Sequence, residues 1–239
     1  MTGAAVVLGA SGGIGRALVE ALAASGRYGR IHAGGRQLPG DLPPGVDPFT
    51  FDLTDEASIA EAAQRIGGPV DLVLVASGVL QDLGRAISPE KSVRAIDGAA
   101  MAHVFAVNTI GPALIAKHFL PLLPRDGRSV FAALSAKVGS IADNRLGGWH
   151  SYRASKAALN MLIVNFAIEL KRTHPHAIVA ALHPGTVATD LSQPFRRGLA
   201  PEQLFTPEVA AGHLLRVIET LGPRDSGGLF AWDGARLPG

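Results

Sequence analysis

The sequence predicts an α/β fold in which a mainly parallel, doubly wound sheet of about seven strands carries helices on both faces. Two observations lead to this prediction: short apolar runs recur along the 239 residues, and helical segments separate most of them. A strand that is apolar along its whole length needs cover on both sides, and helices that alternate with parallel strands provide it. The candidate strands span residues 4–8, 30–33, 48–51, 72–76, 129–134, 177–182 and 229–232.

Length and composition narrow the class of protein. With 47% hydrophobic residues the chain can build one large core, so we expect a single domain over residues 1–239. Glycine, proline or charge interrupts the apolar stretches before membrane-spanning length, and residues 1–7 lack a secretion signal. These features predict a soluble, cytoplasmic protein with no membrane partner.

Charge and cysteine content exclude several function classes. The net charge of +2 is scattered and no cationic run is longer than a pair such as Arg196-Arg197, so nucleic acid is not expected as a partner. The absence of cysteine excludes disulfides, thiolate metal sites and cysteine nucleophiles. The histidines share no ligand-like spacing with carboxylates, so no metal site is expected.

A glycine-rich segment, Gly9-Ala10-Ser11-Gly12-Gly13-Ile14-Gly15, joins the first strand to the first helix. Glycine allows positive φ and close approach of a ligand, and a helix amino end offers free N–H groups and partial positive charge. A tight structural turn is the alternative, but this position favours a dinucleotide pyrophosphate site in a Rossmann fold. The predicted cofactor contacts are Gly9, Ser11, Gly12, Gly13, Ile14 and Gly15.

The charges after the second strand indicate which dinucleotide binds. NAD sites usually place a carboxylate there to hold the ribose hydroxyls, but none stands between Glu20 and Asp41. Arg36 stands there instead and would bind a 2'-phosphate through charge-assisted hydrogen bonds. The sequence therefore predicts NADP(H). Arg16 is a second candidate, for which a solvated surface position is an equal alternative.

Tyr152 and Lys156 lie at the start of a predicted long helix. Its body, residues 157–170, is apolar almost all round, so we expect this helix to be deeply buried. Residues four apart lie on one helix face, so the ammonium is expected near the phenol. A free phenol has a pKa of roughly 10, and a neighbouring cation is expected to lower the pKa of Tyr152. A surface pair with this spacing is common, so the pattern is specific only together with the glycine turn.

The chain resembles the short-chain dehydrogenase/reductase family over essentially its whole length. The residues that carry the resemblance are Gly9, Gly13, Gly15, Tyr152 and Lys156. The resemblance implies an oxidoreductase that moves hydride between nicotinamide and a carbonyl or alcohol carbon of a small molecule. It implies Tyr152 as proton donor, with Lys156 holding the nicotinamide ribose and lowering the tyrosine pKa. It also implies further cofactor contacts at Asp52, Leu53, Ser77, Gly78, Pro184, Gly185, Val187 and Thr189.

Residues 135–152 resemble more specifically the C-factor and sniffer-type carbonyl reductase branch. That branch includes proteins linked to signalling, so an NADP(H)-binding signalling or sensing protein with little turnover is the alternative function. The chain departs from the family pattern at two places: Leu8 replaces a usual Thr, and Val75-Ala76-Ser77-Gly78 replaces Asn-Asn-Ala-Gly. In the family the replaced Thr and Asn side chains brace the cofactor site. We therefore expect this chain to be active but to lack that bracing of the cofactor.

Two serines compete for the position that orients the substrate oxygen. Ser135 ends a predicted strand but stands seventeen residues before Tyr152, whereas Ser140 stands twelve before it, near the family's usual spacing. Ligands bind beyond the carboxyl ends of parallel strands, so we favour Ser135.

Asn108 is the candidate fourth catalytic residue. Pro112 has no N–H, so a helix here should kink and leave the Asn108 carbonyl without its usual partner. We expect that carbonyl to hold a water that links Lys156 to solvent, as the family resemblance implies for this Asn. A purely structural kink, satisfied by the Asn108 side chain, is the competing hypothesis.

Substrate specificity is expected from Trp149, His150 and a lid around residues 190–206. Apolar side chains dominate there, which favours an apolar or aromatic carbonyl compound, although the same residues would also serve as simple packing. The apolar helices around Asn108 and over residues 157–170 suggest a homodimer or homotetramer, with cover by the same chain as the alternative.

Overall fold

The computed structural model describes residues 3–193 and 203–239. Helices and strands alternate along most of the chain, as the apolar pattern predicts. The strands are β1 (Ala4–Leu8), β2 (Arg30–Gly35), β3 (Val46–Thr50), β4 (Leu72–Val75), β5 (Ser129–Leu134), β6 (Ala177–His183), β7 (Thr186–Val187), β8 (Leu204–Phe205), β9 (Leu229–Ala231) and β10 (Arg236–Leu237). The helices are α1 (Gly13–Ser25), α2 (Glu56–Ile66), α3 (Gly98–Phe105), α4 (Gly111–Phe119), α5 (His150–Leu170) and α6 (Pro207–Thr220).

Over the described residues, eight strands form one sheet in the order β10-β9-β6-β5-β4-β1-β2-β3. Neighbouring strands are parallel except β9 and β10, which pair antiparallel at one edge. The predicted doubly wound, mainly parallel fold is confirmed, with the short strand β10 added to the seven expected. Pro48 lies within β3, opposite Ala33 of β2. A proline is tolerated there because β3 is the other edge strand of the sheet.

Each face of the sheet carries its own apolar layer. Successive residues of a strand point to opposite faces, so Val6 of β1 joins one layer and Val7 the other. The layer that contains Val6 is completed by α2, α4 and α5, and the layer that contains Val7 by α1 and α6. This arrangement leaves the carboxyl ends of β1, β4, β5 and β6 at one edge of the sheet.

A π-helical segment, Ala106–Ile110, joins α3 to α4. Pro112 lies in the first turn of α4 and cannot donate, and the N–H of Gly111 bonds back to the Ala106 carbonyl, five residues earlier. The expected kink at Asn108 therefore takes the form of a π-bulge, in which an extra residue is inserted into the helical ladder. Asn108 and Thr109 in this segment are buried.

By length and composition, the helix Gly98–Leu122 could cross a membrane. Core helices of water-soluble proteins share this property. Here Val104, Ile115 and Phe119 are buried, and the helix packs against α2 and α5. Its apolar character therefore matches its place in the layer over the sheet.

The helix α5 is not buried all round, contrary to the expectation from its composition. Tyr152, Lys156 and Leu159 are buried, whereas Met161 and Ile168 are 61% and 60% exposed. One face packs on the sheet and α3, and the opposite face is open in the single chain. Apolar composition alone did not distinguish these faces, because both carry apolar side chains.

Candidate functional site

A crevice of about 550 Å³ opens at the carboxyl ends of the central strands. This is the place where ligands bind in open parallel sheets. The sequence-predicted residues that line it are Ser11, Gly12, Gly13, Ile14, Ser77, Gly78, Ser135, Tyr152, Lys156, Pro184, Gly185, Val187 and Thr189. The structure thus brings together segments that lie far apart in the chain.

The glycine turn has the backbone shape of a phosphate cradle. Gly9 has φ +96°. A Cβ on Gly15 would lie 2.0 Å from the Gly9 carbonyl oxygen, and one on Gly13 would lie 2.8 Å from Thr189 Cγ2. Gly12 caps α1 and has no side chain to accept from the first turn, so the N–H groups there are open to an anion. The turn therefore fits a dinucleotide pyrophosphate.

Arg36 is exposed just beyond β2 and does not line the crevice. It still stands beside the glycine turn, because a Cβ on the preceding Gly35 would lie 3.3 Å from Ser11 Oγ. Arg16, the second candidate, donates to Glu20 Oε1 at 2.5 Å and to Asp41 Oδ1 at 2.9 Å. The Arg16 guanidinium is thus already hydrogen-bonded to two carboxylates. Arg36 is therefore the better candidate for the phosphate ligand.

Asp52 and Leu53 also lie outside the lining of the crevice. Asp52 accepts from the Thr54 N–H at 2.8 Å and from its hydroxyl at 2.7 Å. These bonds, with the positive charge of Arg36, lower the pKa of Asp52. The Leu53 side chain is buried in the core against Gly111, so this residue could reach a cofactor only through its backbone.

Tyr152 and Lys156 both line the crevice and are almost fully buried, with 9% and 3% of their surfaces exposed. Lys156 Nζ lies 5.9 Å from the centre of the Tyr152 ring. It also donates to the Leu134 carbonyl at 2.8 Å, which ties α5 to the end of β5. The spacing of four residues thus places the two side chains next to each other, as expected.

The expected lowering of the tyrosine pKa is wrong for this geometry. Burial raises the pKa of Tyr152 to about 12, because the phenolate would lose its hydration. Burial also lowers the pKa of Lys156 to about 8. The ammonium lies beside the ring and is bonded to a backbone carbonyl, and its attraction does not offset the cost of a buried phenolate.

Ser135 and Ser140 occupy different environments. Ser135 lines the crevice, its N–H donates to Leu182 O at 2.8 Å, and its hydroxyl lies 2.7 Å from Asn160 Oδ1. Ser140 does not line the crevice; its hydroxyl accepts from the Asp143 N–H and donates to the Gly239 carbonyl. The residues that lengthen the spacing to Tyr152 form a short 3₁₀ turn at Lys137–Gly139 and the loop after it.

The Asn108 side chain joins the π segment to two neighbouring elements. Its Oδ1 accepts from the Val79 N–H and its Nδ2 donates to the Val79 carbonyl, both at 2.8 Å, with a further bond to Ser155 Oγ at 3.1 Å. A Cβ on Gly78 would lie 3.3 Å from Lys156 Nζ and 3.4 Å from Asn108 Oδ1. Asn108 Oδ1 and Lys156 Nζ therefore both lie next to Gly78, and Asn108 does not line the crevice itself.

Sequence reasoning missed Glu90, which anchors the start of α5. Glu90 as a residue is 7% exposed, and its carboxylate accepts from the N–H of Ser151 at 3.1 Å and from the Ser151 hydroxyl. Its carbonyl accepts from the N–H of Trp149, whose φ is +49°. No motif marks Glu90, because it lies in an irregular loop and reaches α5 only through the tertiary fold.

The substrate side of the crevice is apolar. Tyr152 packs in a cluster with Leu80, Ala136, Val138, Trp149 and Leu191. The Trp149 and Tyr152 rings meet edge to face at 6.3 Å. His150 begins α5 without lining the crevice. His183, in the segment that the family resemblance places beside the nicotinamide, does line it, and burial lowers its pKa to about 4, so the imidazole is neutral at physiological pH.

The predicted lid around residues 190–206 lies largely outside the described residues. At its ends, Asp190 and Leu191 line the crevice, and β8 pairs in parallel with β7. Phe205 of β8 meets the Trp232 ring at 4.7 Å. Both ends of this segment are therefore held close to the crevice.

The chain matches the family model for short chain dehydrogenase over residues 3–200. It is 34% identical over 201 residues to the 1-hydroxy-2-glutathionyl-2-methyl-3-butene dehydrogenase of Rhodococcus sp. (strain AD45), covering 82% of this chain and 79% of that protein. It is 35% identical over 172 residues to the C-signal of Myxococcus xanthus, covering 72% and 93%.

Among solved structures, the NADPH-bound carbonyl reductase from chicken fatty liver has a TM-score of 0.86 to this chain at 28% identity, covering 100% of this chain and 99% of that one. The C-signal and carbonyl reductase matches confirm the similarity to the C-factor and sniffer-type branch that residues 135–152 indicate. On its sequence and its fold, this chain belongs to the short-chain dehydrogenase family of oxidoreductases.

Proposed function

We propose that the protein is an NADP(H)-dependent carbonyl reductase that uses Tyr152 as its acid/base. The observation that carries this proposal is that one crevice unites Ser135, Tyr152 and Lys156 with the glycine turn at the start of α1. The similar carbonyl reductase of known structure is NADPH-bound, which supports the choice of cofactor.

The cofactor would lie along the carboxyl edge of the sheet. The N–H groups at the start of α1 would bind the pyrophosphate, and Arg36 would bind the 2'-phosphate next to Ser11. Asp52 and the Leu53 backbone would contact the adenine, while Pro184, Gly185, Val187 and Thr189 would contact the nicotinamide end. When bound, NADPH supplies the hydride for the carbonyl carbon.

Tyr152 donates a proton to the substrate oxygen while Ser135 orients that oxygen by hydrogen bonding. A tyrosine whose pKa is raised to about 12 is fully protonated at neutral pH, which suits it to donate in the reductive direction. Lys156, with its pKa near 8, then returns a proton to the phenolate. A water held by the Asn108 carbonyl links Lys156 to solvent, as the π-bulge at this position allows.

An apolar or aromatic ketone or aldehyde fits the substrate side. Trp149, Leu80, Val138 and Leu191 offer apolar surface there, and the neutral His183 adds no charge. The lid that the sequence predicts over residues 190–206 begins here, at Asp190 and Leu191. A cytoplasmic location is part of the same proposal, since NADPH-dependent reduction of small molecules suits that compartment.

The test follows NADPH absorbance over a panel of ketones, aldehydes and quinones with wild-type protein and Tyr152→Phe. We expect the variant to lose about 10²- to 10⁴-fold in kcat while it still binds NADPH. Equal rates in the two proteins, with NADPH bound by both, would refute the reductase and favour a sensing protein.

A further inference from the structure

The hydroxyl of Ser135 has a neighbour that the proposed reaction does not use. Asn160 Oδ1 lies 2.7 Å from Ser135 Oγ. Asn160 follows Tyr152 and Lys156 along α5 at steps of four residues, so the three side chains share one helix face. Lys156 bonds to Leu134 and Asn160 bonds to Ser135, so this face of α5 holds the last residue of β5 and the residue that follows it.

A count of protons shows that this contact decides what Ser135 can do. A serine hydroxyl has one proton to donate, and a ketone oxygen can only accept. If Ser135 gives its proton to Asn160 Oδ1, it has none for the substrate oxygen. In that arrangement Asn160 Nδ2 is also buried without a hydrogen-bond partner. Leaving a buried donor unpaired costs about 1–3 kcal/mol.

Exchanging the two ends of the amide removes both difficulties. The nitrogen and oxygen of an asparagine side chain have nearly the same shape, and their hydrogen bonds decide which way the amide faces. With the ends exchanged, the NH₂ group donates to Ser135 Oγ, and 2.7 Å is within the range of such a bond. The hydroxyl proton of Ser135 then turns toward the crevice. A buried carbonyl oxygen without a donor is also less unusual than an orphaned N–H.

We propose that Asn160 is a positioning residue that donates its side-chain N–H to Ser135 Oγ and thereby directs the serine proton to the substrate oxygen. The substrate contact rests on the proposed reductase function, whereas the hydrogen bond between the two side chains does not. Asn160 does not touch the substrate. Its effect passes entirely through Ser135.

The kinetic test compares Asn160→Asp with Asn160→Leu, each alone and combined with Ser135→Ala. An aspartate accepts the serine proton, so Asn160→Asp should lose about 10²-fold in kcat with little change in KM, close to the loss for removing one oxyanion donor. Leucine has a similar size and no hydrogen bonds, so it leaves the serine proton free to rotate and should cost less than tenfold. Neither change should add to the loss of Ser135→Ala, because coupled residues are not additive.

The kinetic inference would be overturned by an Asn160→Asp variant within threefold of wild type. A further loss of the same size in the Ser135→Ala background would also overturn it, since that would show an effect independent of the serine. Thermal melting and NADPH titration of every variant establish that the fold and the cofactor site are intact.

A second measurement does not depend on activity. In ¹⁵N-labelled protein, the side-chain NH₂ signals of Asn160 are identified by their loss in Asn160→Leu. We expect one of the two protons to exchange slowly with solvent, and Ser135→Ala to shift its signal and speed its exchange. Signals unchanged by Ser135→Ala would overturn the hydrogen bond, whatever the kinetics show. If wild type reduces no carbonyl, the proposed function fails while this result still stands.

Discussion

Replacing Glu90 should destabilise the protein through the start of α5. The Glu90 carboxylate is buried, and Ser151 donates two hydrogen bonds to it. A hydrogen bond to a charged group contributes about 1.5–3 kcal/mol, and a negative charge at a helix amino end contributes about 0.3–2 kcal/mol. Part of this gain offsets the desolvation of the carboxylate. We therefore expect Glu90→Leu to lose about 3 kcal/mol of unfolding free energy, and Glu90→Gln about 1–2 kcal/mol.

For a chain of this length, 1 kcal/mol changes Tm by roughly 2–4 °C. Glu90→Leu should therefore lower Tm by about 6–12 °C and Glu90→Gln by about 2–8 °C. The assay is thermal and urea unfolding of both variants at neutral pH. Glu61→Gln, at an exposed glutamate of α2, is the matched control and should leave Tm unchanged.

The stability difference should depend on pH in one direction. Burial alone would raise the pKa of Glu90, but the hydrogen bonds from Ser151, the backbone N–H of Glu90 and the charge of His150 together outweigh burial and lower the pKa below its usual value. A carboxyl group with a lowered folded-state pKa stabilises the protein above its unfolded pKa of about 4.3, and this stability is lost as the pH falls through the folded pKa. The gap between wild type and Glu90→Gln should thus close on acidification.

Two results would refute this reasoning. One is a Glu90→Gln variant whose Tm lies within about 1 °C of the wild-type Tm, since that difference corresponds to only about 0.25–0.5 kcal/mol. The other is a stability gap that persists unchanged from neutral pH to pH 3, where the unfolded-state carboxyl is protonated. Because Ser151 precedes Tyr152, Glu90→Leu should also lower kcat, and full activity would show that the anchor serves stability alone.

Three further predictions concern the cofactor, the proton supply and assembly. Arg36→Ala should weaken NADPH binding about 10- to 150-fold, with little effect on NADH, in fluorescence titrations; an unchanged preference would count against Arg36 as the 2'-phosphate ligand. The rate of carbonyl reduction should fall as pH rises through about 8, where the buried Lys156 loses its proton, and a flat rate from pH 6 to 10 would exclude Lys156 as the proton source. Met161 and Ile168, both largely exposed on α5, should form a subunit interface, so Ile168→Glu should convert a dimer or tetramer to monomer by light scattering. A wild-type monomer would contradict this last proposal.

Local sequence patterns were enough for the order of the strands along the chain and for the glycine turn. Continuous apolar runs such as Ala4–Leu8 can be buried only between two layers, and the structure confirms this. Strand ends were less certain, because Pro48 favours a strand start while the edge position of β3 admits it within the strand. The two-residue strands β7, β8 and β10 were missed, since a pair so short has no periodicity to detect.

The pKa of Tyr152 shows where local reasoning stops. The spacing to Lys156 predicts the neighbouring ammonium correctly, but the spacing carries no information about burial. Burial dominates and moves the pKa upward. In the same way, the apolar composition of α5 could not distinguish its buried face from the face that carries Met161 and Ile168.

The sequence by itself determined the fold class, the family and the kinds of side chain that line the crevice. These depend on periodicity and on the spacing of residues a few positions apart. Only the tertiary structure revealed Glu90 against Ser151, Asn160 against Ser135, and Ser140 away from the crevice. These contacts join residues from different elements, and loop lengths and strand order set their distances. Hydrogen bonding and desolvation depend on those distances in space, and a pattern along the chain does not encode them.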